Sequence, residues 1–148
     1  MSLLQCDRLL VPIDFSEASF QAQQEALQLM EESSELHVLH ILPPLNPGEP
    51  GVKWHTIDKQ KRIENVKKNF WQRFGTPEYQ TIKFHVEIGN PGAKILDYTK
   101  KNNIDLIVIP SHGRTGLRRF LLGSVAERVV RYAPCPVLVL RRKDVNNN

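Results

Sequence analysis

The residues best suited to chemistry lie in a glycine-bearing segment near the C-terminal end of the chain. This segment covers residues 110–124, reads PSHGRTGLRRFLLGS, and contains Gly113, Gly116 and Gly123. Glycine lets a ligand approach the main chain closely. Gly123-Ser124 also opens a predicted helix, whose free N–H groups and dipole favour a phosphate. Arg114, Arg118 and Arg119 add positive charge, so the segment is typical of a phosphate-binding site.

One carboxylate near the N-terminus offers complementary chemistry. Asp14 directly follows the apolar run RLLVPI at 8–13. In nucleotide-binding α/β proteins, a carboxylate at such a position accepts hydrogen bonds from ribose hydroxyls. Asp14 and the glycine-bearing segment therefore predict a mononucleotide site, provided that the fold brings them together.

The elements that must position these residues alternate along the chain. Apolar runs predict strands at 8–13, 36–42, 82–88, 105–109 and 136–140, and helical periodicity predicts helices at 16–32, 57–74, 91–101 and 124–133. Proline-rich and glycine-rich stretches predict loops at 43–51 and 110–122. This alternation indicates an α/β fold: a doubly wound five-stranded parallel sheet, Rossmann-like, with helices on both faces.

The expected strand order places the two candidate segments at one cleft. In the order 3-2-1-4-5, common in nucleotide-binding folds, ligands bind beyond the carboxyl ends of the strands where the order reverses. Here that point lies between the first and fourth strands. Asp14 ends the first strand and the glycine-bearing segment follows the fourth.

Each candidate also has a purely structural interpretation. Ser124-x-x-Glu127 is a capping box, so Ser124 is also a candidate helix cap. Asp14 is equally suited to a helix cap or a turn, and the glycines to turns alone. The segment is neither a Walker A loop nor a GxGxxG motif. It is their joint position at the cleft that favours a nucleotide site.

Composition excludes several other classes of function. With 148 residues, 41% hydrophobic and 24% charged, the chain predicts one globular domain over 1–143 and a disordered tail at 144–148. Cys6 and Cys135 form no CxxC pair, which argues against a zinc site or a disulfide scaffold. We expect no membrane span and no signal peptide, and hence a cytoplasmic protein.

Charge is concentrated near the C-terminal end. Residues 110–143 carry eight basic side chains and one acidic side chain, whereas the whole chain has a net charge of +4. This surplus indicates either an anionic partner or a solvated surface. Nucleic acid is the weaker alternative, because no aromatic residues alternate with the arginines.

The last predicted strand bears on assembly. In the order 3-2-1-4-5 it lies at an edge, yet Val137, Leu138, Val139 and Leu140 are apolar on both faces. A homodimer that pairs this strand with its copy would cover it. In the alternative, helices alone cover both faces and Arg141 and Arg142 protect the edge.

Four stretches of the chain resemble a known family. They are RLLVPIDFSEAS, LHVLHIL, GNPGAKILDY and DLIVIPSHGRTGLRRFLLGSVAERVVRYAPCPVLVLR. Together they resemble the universal stress protein family over nearly the full length. Its ATP-binding members carry a glycine, two residues, a second glycine, nine residues, and then glycine with serine or threonine. Gly113, Gly123 and Ser124 match this spacing, whereas Pro110 replaces the first glycine.

The resemblance implies a site for ATP or AMP, with Mg²⁺ retained by phosphates and water. It implies that Asp14 holds the ribose, that Ile13 and Ile41 flank the adenine, and that glycine-segment residues cradle the phosphates. The predicted nucleotide-binding residues are Pro12, Ile13, Asp14, Ile41, Pro110, His112, Gly113, Arg114, Gly116, Gly123, Ser124 and Val125. Proline lacks an N–H, so we expect weakened but retained binding.

The expected function is a dimeric regulatory module of the stress response that binds an adenine nucleotide and presents its state to a protein partner. Pro110 supports the alternative of a nucleotide-independent scaffolding protein. Slow ATP hydrolysis is a further alternative, with His112 as the candidate base. In the structural interpretation, His112 fixes the loop or faces solvent. Because the motif offers no second acidic residue to hold Mg²⁺ and the local sequence no Ser-His-Asp set, binding with little or no turnover is the expectation.

Overall fold

The computed structural model describes residues 6–44, 55–111 and 122–141, with the side chains of 55–58 excepted. Its strands are β1 (Arg8–Ile13), β2 (Glu35–Leu42), β3 (Ile82–Ile88), β4 (Leu106–Pro110) and β5 (Val137–Leu140). Its helices are α1 (Glu17–Leu29), α2 (His55–Arg73), α3 (Pro91–Lys101) and α4 (Ser124–Tyr132), with a 3₁₀ turn at Pro77–Tyr79.

The five strands form one parallel sheet in the order β3-β2-β1-β4-β5. This confirms the predicted fold class and strand order. The apolar run of β4 is buried because β4 lies between two strands and under helices on both faces. The alternating pattern of β3 fits its position at the sheet edge, where Lys83 and His85 are exposed.

Two apolar layers cover the two faces of the sheet. On one face, Phe20 of α1, Phe70 of α2 and Phe74, which directly follows α2, pack against Leu36 and Val38. On the other face, Ile95 and Tyr98 of α3 and Ala126 and Val129 of α4 pack against Leu10, Leu39 and Ile107. Each helix turns apolar side chains toward the sheet, although Leu29 of α1 and Val130 of α4 are exposed.

The central strands β1 and β4 separate toward their carboxyl ends. Their paired positions are Leu9 with Leu106 and Leu10 with Ile107. Beyond these pairs, β1 continues to Ile13, in register with His40 of β2, and β4 continues to Pro110, in register with Leu140 of β5. A crevice therefore opens between β1 and β4 at the carboxyl edge.

The largest difference from the predicted elements is the end of α1. The periodicity predicts a helix over 16–32, but α1 ends at Leu29 and Met30 is extended. The Ser34 hydroxyl accepts from the Glu31 N–H at 3.0 Å and donates to the Cys6 carbonyl at 2.9 Å. This side chain offers the main chain an alternative to further helical bonds, so the prediction was too long.

Several predictions fall partly or wholly outside the described residues. They include most of the loops at 43–51 and 110–122 and the tail at 144–148. The assignment of 1–143 to a single domain stays a prediction.

Candidate functional site

A cavity of about 320 Å³ lies at the crevice between β1 and β4. Fifteen described residues line it: Pro12, Ile13, Asp14, Ser19, Leu39, Ile41, Pro91, Ile95, Ile109, Pro110, Ser111, Gly123, Ser124, Val125 and Ala126. They come from the C-terminal halves of β1, β2 and β4, from residues adjoining these strands and α4, and from the first two turns of α1, α3 and α4. Its volume is at the lower end of that usual for small-molecule sites.

Eight of the twelve sequence-predicted site residues line this one cavity. They are Pro12, Ile13, Asp14, Ile41, Pro110, Gly123, Ser124 and Val125. The other four, His112, Gly113, Arg114 and Gly116, lie outside the described residues. Residues from three distant parts of the sequence are thus brought to one place, and their role toward a ligand stays a prediction.

One part of the cavity wall is apolar. Ile13, Leu39 and Ile41 come from adjacent strands, Ile109 comes from β4, and Ile95 comes from α3. Leu39, Ile95 and Ile109 also belong to the buried core between the sheet and helices α3 and α4. Such a surface can contact a planar base through apolar burial.

Asp14 occupies a tight turn between β1 and α1. Its Oδ1 accepts hydrogen bonds from the Ser16 main-chain N–H at 3.0 Å and from the Ser16 hydroxyl. Ser16 in turn caps α1 by accepting from the Ser19 N–H at 3.2 Å. Asp14 therefore does shape a turn, as its structural interpretation proposes, while it also lines the cavity.

The residue after Asp14 has an unusual backbone conformation. Phe15 has a φ of 63°, in the left-handed region that few residues other than glycine adopt. Such conformations persist only where surrounding contacts hold them, and they are frequent at functional sites.

Helix α4 begins at the cavity without a side-chain cap. Its N-cap is Gly123, and Ser124, Val125 and Ala126 form its first turn and line the cavity. The N–H groups of that turn have no acceptor within the helix. The Gly123 N–H donates instead to the Ser111 carbonyl at 2.8 Å, which joins the start of α4 to the end of β4.

The capping-box interpretation of Ser124 is therefore wrong. Ser124 is the first helical residue, one position too late to act as the N-cap. The Glu127 carboxylate pairs with Arg131 at 2.9 Å, one turn further along the helix, rather than reaching back to the helix start. A glycine N-cap has no side chain with which to satisfy the first-turn amides.

Pro110 occupies a strand position at which an N–H is not needed for the sheet. The Ile107 N–H donates to the Pro136 carbonyl and the Ser111 N–H donates to the Leu140 carbonyl. Since main-chain groups alternate in direction along a strand, the N–H that residue 110 lacks would point toward β1. The pairing of β4 with β1 ends at Ile107, so this proline removes a donor from the cavity wall and no sheet hydrogen bond.

Sequence reasoning missed seven residues that line the cavity. Leu39, Ile109 and Ser111 adjoin predicted residues on the same strands, and the two-residue period of β2 was a usable signal for Leu39. Ser19, Pro91, Ile95 and Ala126 come from helix starts. Which helical residues reach the cavity depends on packing, for which the sequence holds no direct signal.

Comparisons with known proteins agree with this architecture. The model of the universal stress protein family matches residues 6–141. The chain is similar to Universal stress protein MJ0531 of Methanocaldococcus jannaschii, with 33% identity over 91% of this chain and 82% of the relative. It is also similar to the solved structure of the universal stress protein UspA from Lactobacillus plantarum, with a TM-score of 0.71 and 28% identity, over 90% and 97% of the two chains.

A more distant structural neighbour is a universal stress protein solved in complex with cAMP. It has a TM-score of 0.65 and 20% identity, over 91% of this chain and 97% of the neighbour. At this identity the likeness concerns the fold.

Proposed function

The chain belongs to the universal stress protein family, and on that premise we propose that it binds an adenine nucleotide, ATP or AMP, in the cavity between β1 and β4. We further propose that the bound state is presented by a homodimer to a regulatory partner in the stress response. The observation that carries the proposal is that a carboxylate turn, an apolar wall and an uncapped helix start line one cavity.

The three surfaces match the three parts of a mononucleotide. The adenine would lie against the apolar wall beside Ile13 and Ile41. The ribose hydroxyls would donate to Asp14, and the phosphates would accept from the first-turn amides of α4, with the helix dipole adding to the attraction. The absence of a donor at Pro110 would weaken this binding by about tenfold or less, since one neutral hydrogen bond contributes roughly 0.5–1.5 kcal/mol.

Binding without turnover is part of the proposal. Asp14 is the single ionisable side chain among the described residues that line the cavity. Phosphoryl transfer needs a positioned base or water and charge neutralisation at the γ-phosphate, and Asp14 is assigned here to the ribose. Mg²⁺ would be carried by the phosphates and water rather than by a protein cage.

The edge strand β5 supports the homodimer. It ends the sheet next to β4, and Leu138 is 39% exposed, close to the exposed Val130 and Tyr132 in the sequence. Pairing β5 with its copy would cover an edge that otherwise favours aggregation.

Leu138→Glu tests this homodimer better than a change at Val139, which packs against the core. Sedimentation should show monomers, whereas a persistent dimer would point to another surface.

We also propose that the protein is cytoplasmic. Cys6 and Cys135 are not joined by a disulfide bond, as is usual in a reducing compartment. Within the described ranges, no helix combines the length and apolar character that a membrane crossing requires.

Isothermal titration with AMP, ATP and GTP tests the proposed function. We expect heat of binding with both adenine nucleotides and weaker binding of GTP, because guanine presents different donors and acceptors along its edge. ATP incubated with the protein should release no phosphate above background. An absence of binding heat with all three nucleotides would overturn the proposal.

A further inference from the structure

We propose that His40 is a positioning residue for Asp14 and thereby sets the preference of the site for a ribose. The inference rests on the proposed function, in which Asp14 accepts from the ribose hydroxyls. His40 lies on β2 and is not among the described residues that line the cavity, so it would act through Asp14 rather than by touching the nucleotide.

The first contact holds the residue before Asp14. The Nδ1 atom of His40 lies 2.8 Å from the main-chain carbonyl oxygen of Ile13, with which it is in register. A carbonyl oxygen only accepts, so Nδ1 carries the proton and donates it. This bond fixes the peptide that enters Asp14.

The second contact holds the residue after Asp14. The ring of Phe15 packs edge-to-face on the His40 imidazole, with a centroid distance of 4.8 Å and an interplanar angle of 87°. Phe20 packs on Phe15 in the same manner at 5.6 Å. Because Phe15 has a left-handed φ of 63°, these ring contacts stabilise a conformation that the residue does not favour by itself.

One imidazole therefore holds both neighbours of Asp14. The Asp14 carboxylate accepts from the Ser16 N–H and hydroxyl within the same turn, so the turn and its carboxylate would move together if either neighbour were released. Functional groups need such support to keep a productive geometry.

Two substitutions separate the contributions of the hydrogen bond and the ring. His40→Phe keeps an aromatic ring and removes the donor, whereas His40→Asn keeps a donor near the Nδ1 position and removes the ring. Affinities for AMP and 2′-deoxy-AMP are measured by titration. His40→Phe should lower AMP affinity about fivefold, in the range of one hydrogen bond, and leave 2′-deoxy-AMP affinity nearly unchanged. His40→Asn should retain more of the ribose preference.

A histidine on the other side of β2 provides the matched control. The His37 Nδ1 lies 2.6 Å from the Tyr98 hydroxyl on the α3 face, and His37 precedes His40 by three residues on β2. His37→Phe should destabilise the protein without changing the ratio of AMP to 2′-deoxy-AMP affinity. An equal loss of that ratio in both variants would overturn the proposal.

A double-mutant cycle tests whether His40 acts through Asp14. In an Asp14→Asn background, His40→Phe should have almost no further effect on AMP affinity, because the group that it positions is already altered. Additive losses would overturn the proposal.

The structure of the unliganded His40→Phe protein decides the question without any nucleotide. We expect the Ile13 carbonyl, which loses its donor, and with it the Asp14 carboxylate to shift from their wild-type positions, while Phe15 keeps its contact with the retained ring. If Ile13 and Asp14 both stay in place, the inference is wrong whether or not AMP binds. By contrast, a wild-type protein that binds no AMP overturns the proposed function while this structural test of His40 still stands.

Discussion

Helices α3 and α4 both begin at the cavity, but only α3 is closed there by one of its own side chains. The Asn90 Oδ1 accepts from the Ala93 N–H at 3.1 Å and also from Arg128 Nη1 at 3.1 Å, and Pro91 occupies the first turn. At α4 the corresponding position is Gly123, which provides no side-chain acceptor. The two helices lie on the same face of the sheet, so this difference is local.

The comparison distinguishes a helix start with a first-turn amide bonded by a protein side chain from one that has no side-chain cap and leaves room for a ligand. Asparagine and glycine N-caps differ by only a few tenths of a kcal/mol in many hosts. A glycine at 123 therefore costs little stability, while an acceptor side chain there would occupy the amides that a phosphate needs. Three substitutions, two of them with a matched control, test this contrast.

The largest effect is expected when α4 receives the kind of cap that α3 has. Gly123 has a φ of −60° and a ψ of 156°, which any residue can adopt. Gly123→Asp should place a carboxylate over the first-turn amides, compete with the phosphate and repel it. We expect AMP affinity to fall by about 100-fold, as for loss of a hydrogen bond to a charged group. Titration gives the affinity, and thermal unfolding should show equal or slightly higher stability.

Gly123→Ala is the matched control, because it adds a β-carbon without an acceptor. It should retain most of the AMP affinity. Equal affinity in Gly123→Asp and the wild type would mean that the start of α4 is not where the phosphates bind.

The reverse change removes the cap of α3. Asn90→Ala should lower the free energy of unfolding by about 1 kcal/mol, the usual value of an N-cap, measured by urea denaturation. AMP affinity should change less than twofold, since the Asn90 side chain satisfies the protein's own amide and guanidinium. Asn90→Ser should restore most of the stability. A large loss of AMP affinity in both variants would contradict the contrast between the helices.

The smallest effect concerns a carboxylate at the opposite end of the sheet. Hydrogen bonds from Lys83 and then from His37 lower the pKa of Glu35 from 4.5 to about 2. Because the folded-state pKa is depressed, the stabilisation is fully present above about pH 4.5 and is lost as the pH falls toward 2. As at the start of α3, the polar groups of this cluster bond to other groups of the protein. Its contribution to stability should therefore not change when AMP binds.

Glu35→Gln should therefore unfold at a lower temperature than the wild type near pH 6, and the difference should disappear near pH 2. The measurement is thermal unfolding across this pH range. The effect should be small because the Glu35 side chain is 36% exposed and solvent screens its ion pairs. A difference that stayed constant with pH would show that Glu35 contributes through packing.

Much of the fold was predictable because local patterns and tertiary environment agree. The strands at 8–13 and 82–88 have the predicted bounds, since alternation and apolar runs report directly how many faces a strand buries. The end of α1 was not predictable, because the side chain of Ser34 competes with the helix for main-chain groups. Helical periodicity does not register such competition.

The candidate site also has features that could be predicted from the sequence and one that could not. Asp14 and Gly123 could be predicted because each follows or precedes an element whose end must lie at the carboxyl edge of the sheet. The absence of a side-chain cap on α4 ran against the sequence pattern, since Ser124-x-x-Glu127 favours a capping box. Because α4 begins at Ser124 rather than at residue 125, the N-cap is Gly123 and not Ser124.

By itself, the sequence determined the order of elements, the parallel sheet and the edge at which Asp14 and Gly123 meet, because these follow from periodicity and short connections. Only the tertiary structure decided which side chains close the cavity and what holds Asp14. The contacts of His40 with Ile13 and Phe15 join residues more than twenty positions apart, and a pattern along one chain carries no record of which distant groups come within hydrogen-bond distance.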